Sequence, residues 1–257
     1  MNYIQAIILS IVEGITEFLP VSSTGHLILA SYLLKITQTE FVKSFEIFIQ
    51  LGAIFSIVFL YKDTIFKKIA VWKKVLAAFV PTAVVGLILY KIIKHYLLGN
   101  SYVTVAALFI GGILFIILEK IYQKKKVEIT SIEELSYPKA LQIGLIQSLS
   151  VIPGVSRSGA TIFGAMMLGM SRKSAVEMSF WLAVPTLLAA TGLDLVKSSF
   201  HFSFFEYSLL MIGFTGSFIT AYISAKFLLN VIKKNDFIPF GIYRIVLAIL
   251  FWIVYLR

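Results

Sequence analysis

The sequence contains no cysteine and few charged residues. The absence of cysteine from 257 residues excludes a disulfide framework, a thiol nucleophile and a cysteine-ligated metal centre. Charged residues make up 14% of the chain and hydrophobic residues 59%, against about 25% and about 45–50% in soluble domains. With a mean hydropathy of +0.92, this composition excludes a disordered chain, a collagen-like fibre and an ordinary soluble enzyme. It predicts an all-α polytopic membrane protein.

Acidic residues are especially scarce, with 13 Asp and Glu against 23 Lys and Arg. In a soluble protein this excess would suggest nucleic acid as the partner, but here it predicts basic cytoplasmic loops and no nucleic-acid partner. No Lys or Arg precedes the apolar start of the chain, and Glu13 and Glu17 interrupt it. We therefore expect the mature protein to retain this segment rather than lose it as a signal peptide.

Six stretches approach the roughly 20 apolar residues that cross a hydrocarbon core of ~30 Å. Their approximate bounds are Ser44–Tyr61, Val75–Lys94, Val103–Leu118, Ser174–Val196, Tyr207–Leu229 and Phe240–Tyr255. Two further stretches, Tyr3–Leu34 and Lys139–Met170, each have two short apolar arms around a polar turn. Broken backbone at membrane depth is tolerated only where protein buries it or water reaches it. Both stretches are therefore predicted to be re-entrant helical hairpins.

The distribution of basic residues predicts the orientation of this layout. If Ser44 starts outside and each span crosses once, the inner loops hold 15 of the 23 Lys and Arg, and the outer segments hold six. This asymmetry predicts that both termini lie outside.

The two hairpins are related by an internal repeat. A shift of 134 residues aligns them without a gap and pairs Ser22 with Ser156 and Gly25 with Gly159. The chain is then one membrane domain (1–257), with a first repeat of about 1–123 and a second of about 136–257. Each repeat has three crossings, an odd number, so the repeats have opposite orientation and a site is expected near the membrane midplane. Chance alignment of Ser- and Gly-rich segments is the alternative.

The first hairpin carries two carboxylates, Glu13 and Glu17, one helical turn apart on the same face. A charge at membrane depth costs roughly 2.5–3.5 kcal/mol on insertion scales, so this pair needs partners. The pattern predicts a site for a cation or a proton. The alternative is that the helix end lies in the membrane interface and water solvates both groups.

The turn of the first hairpin is rich in hydroxyl groups. After Pro20 it contains Ser22, Ser23, Thr24, Gly25 and His26. A helix that starts near Thr24 directs free N–H groups and a positive dipole at an anion. Ser23 and His26 are three residues apart, which predicts a nucleophile with an acid or base. The alternative is that His26 has a structural role only.

The turn of the second hairpin adds a cation and more hydroxyl groups. It contains Ser156, Arg157, Ser158 and Thr161. A guanidinium group among hydroxyl and glycine N–H groups suits a phosphate. The alternative is that Arg157 only neutralises Glu13 or Glu17, a pairing that would not exclude phosphate binding in another state.

Two other charged residues lie within predicted spans. Glu46 shares a helix face with Gln50, and both could line a cavity. Arg244 lies near one end of the last span and is predicted to snorkel to the inner surface.

Together these groups predict a site for a phosphate that is attached to a lipid. The carboxylates would repel a polyanion unless a divalent cation, Mg²⁺ or Ca²⁺, bridges them. Phosphoryl transfer to Ser23 or to water is the reaction that this set of groups favours.

The segments EGITEFLPVSSTGHL and PGVSRSGATI closely resemble the two signature motifs of the undecaprenyl-diphosphate phosphatase family, the bacitracin-resistance phosphatases of the bacterial inner membrane. The resemblance extends over essentially the whole chain. It implies hydrolysis of undecaprenyl diphosphate to undecaprenyl phosphate and phosphate, which recycles the lipid carrier of cell-wall synthesis. It also implies an active site that faces the exterior, as the charge distribution does.

The resemblance implies a role for each motif residue. Ser23 would be the nucleophile, His26 its acid or base, and Arg157 the clamp on the diphosphate. Glu13 and Glu17 would hold the divalent cation or move a proton, and Glu17 is the safer of the two because family members often have Gln at the first position. The implied substrate-binding residues are Ser22, Thr24, Gly25, Ser156, Arg157, Ser158 and Thr161.

The implied partners are a prenyl diphosphate lipid and the membrane lipid, with a homodimer left open. The second hypothesis is a lipid-phosphate transporter or flippase that uses the same inverted-repeat site. Transport alone does not need the Ser23 and His26 pair.

Overall fold

The structure is a computed structural model, and it describes residues 1–65, 67–89, 92, 97, 100–197 and 202–256. In this part of the chain the regular elements are helical, and the one isolated β-bridge joins Ile129 to Met170. The helices are α1 (Tyr3–Thr16), α2 (Ser23–Leu33), α3 (Glu40–Leu60), α4 (Lys62–Ile65), α5 (Ile69–Ile88), α6 (Ser101–Tyr122), α7 (Tyr137–Gln147), α8 (Arg157–Met167), α9 (Arg172–Lys197), α10 (Phe204–Val231) and α11 (Ile238–Phe251).

Five of these helices, α3, α5, α6, α9 and α10, are long and apolar enough to cross a membrane, within the residues described. The prediction of an all-helical polytopic membrane protein is therefore confirmed. The sixth predicted span corresponds to α11, which has 14 residues and continues into a π-helical turn, Trp252–Leu256.

The second predicted span, about Val75–Lys94, overlaps α5, which begins six residues earlier, at Ile69, and ends at Ile88. Most of the predicted residues beyond Leu89 lie outside the described residues. The first turns of α5 carry Lys73 and Lys74, and the Lys74 Nζ lies 3.5 Å from the centre of the Tyr137 ring. Lys91, Lys94 and Arg257, which the charge distribution assigned to the outer side, lie outside the described residues.

Two helix pairs, hairpin 1 (α1 and α2) and hairpin 2 (α7 and α8), are short. The longest of these helices, α1, has 14 residues and a length of about 21 Å, less than a hydrocarbon core of ~30 Å. Under the shift of 134 residues, α2 and α8 begin and end at equivalent positions. The backbone φ is positive at Ser22 and Ser156 (72° and 77°), and again at Lys35 and Gly169 (50° and 98°). The two hairpins therefore share helix bounds and backbone conformation at equivalent positions, and the repeat itself stays a prediction.

Each hairpin packs on a spanning helix of the opposite half of the chain. Helix α1 contacts α10, whereas α7 contacts α5, and the halves also meet through α3 with α9 and through α6 with α11. The close crossings require glycine, because a Cβ at Gly144 would lie 1.9 Å from the Ala78 carbonyl oxygen. A Cβ at Gly14 would likewise lie 1.9 Å from the Thr220 hydroxyl. This exchange of contacts places the two hairpin turns side by side.

Candidate active site

The carboxylate of Glu17 joins the two hairpin turns. Its Oε2 accepts a hydrogen bond of 2.6 Å from the Ser23 hydroxyl, and its Oε1 accepts one of 2.7 Å from Arg157 Nη2. Glu17 caps the C-terminal end of α1, while Ser23 and Arg157 are the first residues of α2 and α8. The side chains of Glu17 and Arg157 are 5% and 9% exposed. The structure thus brings a hydroxyl, a carboxylate and a guanidinium into one buried group.

Arg157 is held from a second direction by α9. Its Nη1 donates to the backbone carbonyl of Ser179 at 3.0 Å, and its Cζ lies 5.7 Å from the centre of the Phe18 ring. Its Nε has no hydrogen-bond partner. Pairing of Arg157 with a carboxylate, which the sequence suggested, occurs here with Glu17. The free Nε–H leaves one buried donor available to a ligand.

Glu13 is a buried carboxyl group without a hydrogen-bond partner. Its residue is 0% exposed and neither oxygen accepts a hydrogen bond from an N–H or hydroxyl group. The Glu17 carboxyl group lies within hydrogen-bonding range of it, so the two would share a proton or a cation, and Arg157 lies within electrostatic range. Glu17 is 6% exposed, so the alternative that water solvates both carboxylates is wrong. A buried carboxylate without a partner is costly, and a cation or a proton would remove that cost.

The acidic pair fits a cation that is shared with a ligand. Among the residues that the structure describes, no three His, Cys, Asp or Glu side chains come together as a metal site. Two carboxylates supply only part of the coordination sphere of a metal ion. Mg²⁺ in proteins is commonly bound by one or two carboxylates together with substrate phosphates. The unpaired oxygens of Glu13, one helical turn from Glu17, are suitable ligands for such a cation.

The imidazole of His26 points away from Ser23. Its Nδ1 lies 2.8 Å from the carbonyl oxygen of Ser22 and its Nε2 lies 2.7 Å from the hydroxyl of Tyr243. The spacing of three residues suggested that the ring could reach the Ser23 hydroxyl, but that hydroxyl is bonded to Glu17. The base in contact with Ser23 in this structure is therefore a carboxylate.

The N-termini of α2 and α8 differ in how they are capped. In hairpin 2 the Ser156 hydroxyl accepts a hydrogen bond of 3.1 Å from the Gly159 N–H. In hairpin 1 the equivalent Ser22 makes no side-chain capping bond. Thr24 at the same end is exposed. The N–H groups at the start of α2 are thus better placed to receive an anion than those of α8.

The other hydroxyl groups predicted to bind substrate are engaged within the protein. The Ser158 hydroxyl donates to the Leu19 carbonyl at 2.9 Å, which joins the two hairpins. The Thr161 hydroxyl lies 3.1 Å from Gln147 Oε1, deep in hairpin 2. Gly25 packs against Leu108. Their roles in binding a substrate remain predictions.

Sequence reasoning gave the wrong environment for Arg244. It was predicted to snorkel to the surface, but the residue is 0% exposed and donates to the carbonyls of Gly154, Val155 and Ala107. The broken turn of hairpin 2 leaves carbonyl oxygens without helical partners, and a guanidinium group can satisfy several of them. The signal in the sequence was an arginine within an apolar span, which by itself indicates a buried partner.

Three other residues near the site were not identified from the sequence: Ser179, Tyr243 and Gln147. Glu46, predicted to line a cavity, is half-buried and accepts hydrogen bonds from Ser31 at 2.9 Å and from Gln38 at 3.2 Å. It therefore tethers α3 to the end of hairpin 1.

Comparisons with known proteins give a consistent result. The profile of the family described as bacitracin resistance protein BacA matches residues 6–250. The chain is 50% identical to the undecaprenyl-diphosphatase of Aquifex aeolicus over 96% of both chains. It is 50% identical to the Sulfurihydrogenibium protein of that name over 99% of this chain and 100% of the relative. It is 42% identical to the Methanococcus aeolicus protein of that name over the full length of both.

Proposed function

The chain belongs to the bacitracin resistance protein BacA family, and from this membership and the geometry of the site we propose that it hydrolyses undecaprenyl diphosphate to undecaprenyl phosphate and phosphate. The observation that carries the proposal is the convergence of Ser23 and Arg157 on the two oxygens of one buried carboxylate. In this proposal the hydroxyl group is the nucleophile, the carboxylate is its base and the guanidinium group is the anion clamp.

We propose that Ser23 attacks the terminal phosphorus. Glu17 accepts the hydroxyl proton along the existing hydrogen bond while Ser23 Oγ forms a bond to phosphorus. The bond from phosphorus to the bridging oxygen breaks, and undecaprenyl phosphate leaves with that electron pair. Water then attacks the phosphoserine, so phosphate is released and the proton returns to Ser23. Direct attack by water, with Glu17 as the base, is the variant in which no phosphoserine forms.

Arg157 is the clamp on the transferred phosphoryl group in this proposal. Its free Nε–H, together with the Nη donors that now bind Glu17 and Ser179, can be redirected to phosphate oxygens when a substrate enters. The uncapped N-terminus of α2 supplies backbone N–H groups from the opposite side. Thr24 is exposed at the same helix end and can contact the bound anion, whereas His26, which contacts the Ser22 carbonyl and Tyr243, would support the turn that carries Ser23.

Glu13 and Glu17 are the proposed ligands for a divalent cation, Mg²⁺ or Ca²⁺. When bound, the cation would neutralise the repulsion between the carboxylates and the diphosphate and would stabilise the departing phosphate. The support for this role is the burial of Glu13 and the absence of any partner for its oxygens.

We further propose the predicted arrangement in the bacterial inner membrane: six crossings, two re-entrant hairpins, both termini outside and the site open to the exterior. The Lys and Arg asymmetry supports it. Because the chain has no cysteine, single substitutions can test it directly. Thr37→Cys should react with a membrane-impermeant maleimide in intact cells, and Lys126→Cys only after permeabilisation. The opposite pattern would overturn the orientation.

Phosphate release tests the activity. Purified protein in detergent should release phosphate from undecaprenyl diphosphate when Mg²⁺ or Ca²⁺ is added, and EDTA should abolish the release. Ser23→Ala and Arg157→Ala should each lower kcat by roughly 10³-fold or more while thermal unfolding shows a folded protein. Near-normal turnover in either variant would contradict the role assigned to that residue.

The transporter hypothesis gains no support from the relatives, which are named as phosphatases. Release of phosphate from substrate in detergent, where no gradient exists, is the result that separates catalysis from transport.

A further inference from the structure

Two successive residues of α11 contact different hairpins. The Tyr243 hydroxyl lies 2.7 Å from His26 Nε2 in hairpin 1, and the two rings stack with centroids 5.6 Å apart and an interplanar angle of 5°. Arg244 Nη2 donates to the Gly154 carbonyl at 2.8 Å, and its Nη1 donates to the Val155 carbonyl at 3.1 Å, both in the turn of hairpin 2. One rigid helix therefore holds both turns.

The contact with hairpin 1 fixes His26 at both of its ring nitrogens. The Ser22 carbonyl 2.8 Å from Nδ1 can only accept, so Nδ1 carries a proton and the Nε2 of the neutral ring accepts from Tyr243. Ser22 immediately precedes Ser23 and has a backbone φ of 72°, so the chain turns at this residue before α2 begins. The Tyr243 hydroxyl is thus linked through the imidazole to the backbone that presents the nucleophile.

The contact with hairpin 2 involves a fully buried cation. Arg244 is 0% exposed, and a third bond of 3.1 Å goes to the Ala107 carbonyl on α6. Gly111 makes room for the guanidinium group, because a Cβ there would lie 2.3 Å from Nη2. The carbonyls of Gly154 and Val155 precede Arg157 by two or three residues. Arg244 therefore fixes the backbone that presents the phosphate clamp.

Apolar packing supports the same arrangement. Leu247 and Ala248 of α11 form one buried cluster with Leu108 of α6, and Ile28 and Leu29 of α2 pack against it. Helix α2 thus packs on the cluster that α6 and α11 form together, and the bond between His26 and Tyr243 links it directly to α11.

We propose that Tyr243 and Arg244 are a pair of positioning residues that fixes the separation of the two hairpin turns, so that Ser23 and Arg157 address the same phosphoryl group. This proposal rests on the proposed phosphatase function. Neither residue bonds to Glu17, Ser23 or the Arg157 side chain. Tyr243 acts through His26, and Arg244 acts through the backbone before Arg157.

Tyr243→Phe tests the first half of the pair. The residue is 44% exposed and phenylalanine keeps its ring, so the substitution removes only the hydroxyl group. We expect kcat for undecaprenyl diphosphate to fall about tenfold, the effect of one lost hydrogen bond, with KM changed by less than about twofold. In a His26→Ala background the same substitution should have no further effect. Tyr102→Phe on the outer face of α6, where the residue is 61% exposed, is the matched control and should keep the wild-type kcat.

Arg244→Lys and Arg244→Met test the second half. Lysine keeps the charge but cannot reach three carbonyls in the guanidinium geometry, so kcat should fall about tenfold or more in Arg244→Lys. The fall should be larger in Arg244→Met, and both should be measured well below the unfolding temperature. If Arg244→Met fails to fold, Arg244→Lys decides the question.

The outcomes separate this proposal from the proposed function. A wild-type protein that releases no phosphate would overturn the phosphatase function itself. An active wild-type protein whose Tyr243→Phe or folded Arg244→Lys variant keeps full kcat would overturn the positioning role alone. A Tyr243→Phe effect that persists undiminished in the His26→Ala background would also overturn it, because Tyr243 would then not act through His26.

Discussion

Hairpin 1 and hairpin 2 have similar backbone geometry but differ in whether their buried polar side chains have hydrogen-bond partners. In hairpin 2, Gln147 is 0% exposed and its amide donates to Thr82 at 2.8 Å and Thr186 at 3.3 Å, while its carbonyl oxygen accepts from Thr161 at 3.1 Å. Glu13 occupies the equivalent position in hairpin 1, where neither oxygen has a partner. The buried polar side chain of hairpin 2 therefore has hydrogen-bond partners, whereas the equivalent side chain of hairpin 1 has no donor group as a partner.

The same contrast holds at the two turns. Ser156 caps α8, whereas the equivalent Ser22 leaves α2 uncapped. At the first helical position hairpin 1 has Ser23 and hairpin 2 has Arg157, and both bond to Glu17. Buried polar groups without partners are costly and need an explanation, and a bound ligand or ion is one of them. This difference favours the proposal that hairpin 1 receives the ligand, while hairpin 2, whose buried glutamine has its hydrogen bonds, contributes the guanidinium group of Arg157.

The largest expected effect comes from the carboxylate that only hairpin 1 provides. Glu17→Gln keeps the shape but removes the base from Ser23 and the counter-charge from Arg157, so kcat should fall roughly 10³-fold. Steady-state phosphate release measures this. Glu46→Gln, which changes another carboxyl group near hairpin 1, should lower kcat less than tenfold. Equal losses in the two variants would mean that Glu17 has no special role.

Exchanging the side chains at the equivalent buried positions should change stability in opposite directions. Gln147→Glu would place a carboxylate among three threonine hydroxyl groups that already have their bonds, at a cost of about 3 kcal/mol. The unfolding temperature in detergent should therefore fall by about 6 °C or more. Glu13→Gln removes an unpartnered buried charge, so its unfolding temperature should equal or exceed that of the wild type.

The same pair of variants tests the cation site. Activity of Glu13→Gln should need a higher concentration of Mg²⁺ or Ca²⁺, whereas the dependence in Gln147→Glu should stay near that of the wild type. A fall in the stability of Glu13→Gln, or an unchanged cation requirement, would show that hairpin 1 is as internally satisfied as hairpin 2.

Much of this contrast can be predicted from the sequence, because the composition and the repeat are local signals. Apolar runs locate the spanning helices, and the shift of 134 residues identifies two equivalent turns with the chemistry concentrated in EGITEFLPVSSTGH and SRSGAT. The pairing of Arg157 with a carboxylate follows from the cost of isolated charges at membrane depth. These inferences need only the order of residues and the energetics of burial.

The remainder depends on contacts between distant segments. Nothing local indicates that His26 turns to Tyr243, 217 residues away, rather than to Ser23. The burial of Arg244 was not predicted because its partners are backbone carbonyls of a turn about 90 residues earlier. Every residue has a backbone carbonyl, so the sequence does not indicate which ones an arginine will contact. The apolar run does not show where α5 begins, because the first turns of this helix contain Lys73 and Lys74.

The smallest expected effect concerns the two serines that precede α2 and α8. Ser156→Ala removes a capping hydrogen bond and should cost about 1 kcal/mol of stability, with a smaller effect on kcat/KM. Ser22→Ala removes no capping bond, so it should affect kcat/KM more than the unfolding temperature. Thermal unfolding and phosphate release on the same preparations give both quantities. If Ser22→Ala lost as much stability as Ser156→Ala, the Ser22 hydroxyl would be a structural cap. The N-terminus of α2 would then no longer distinguish hairpin 1 from hairpin 2.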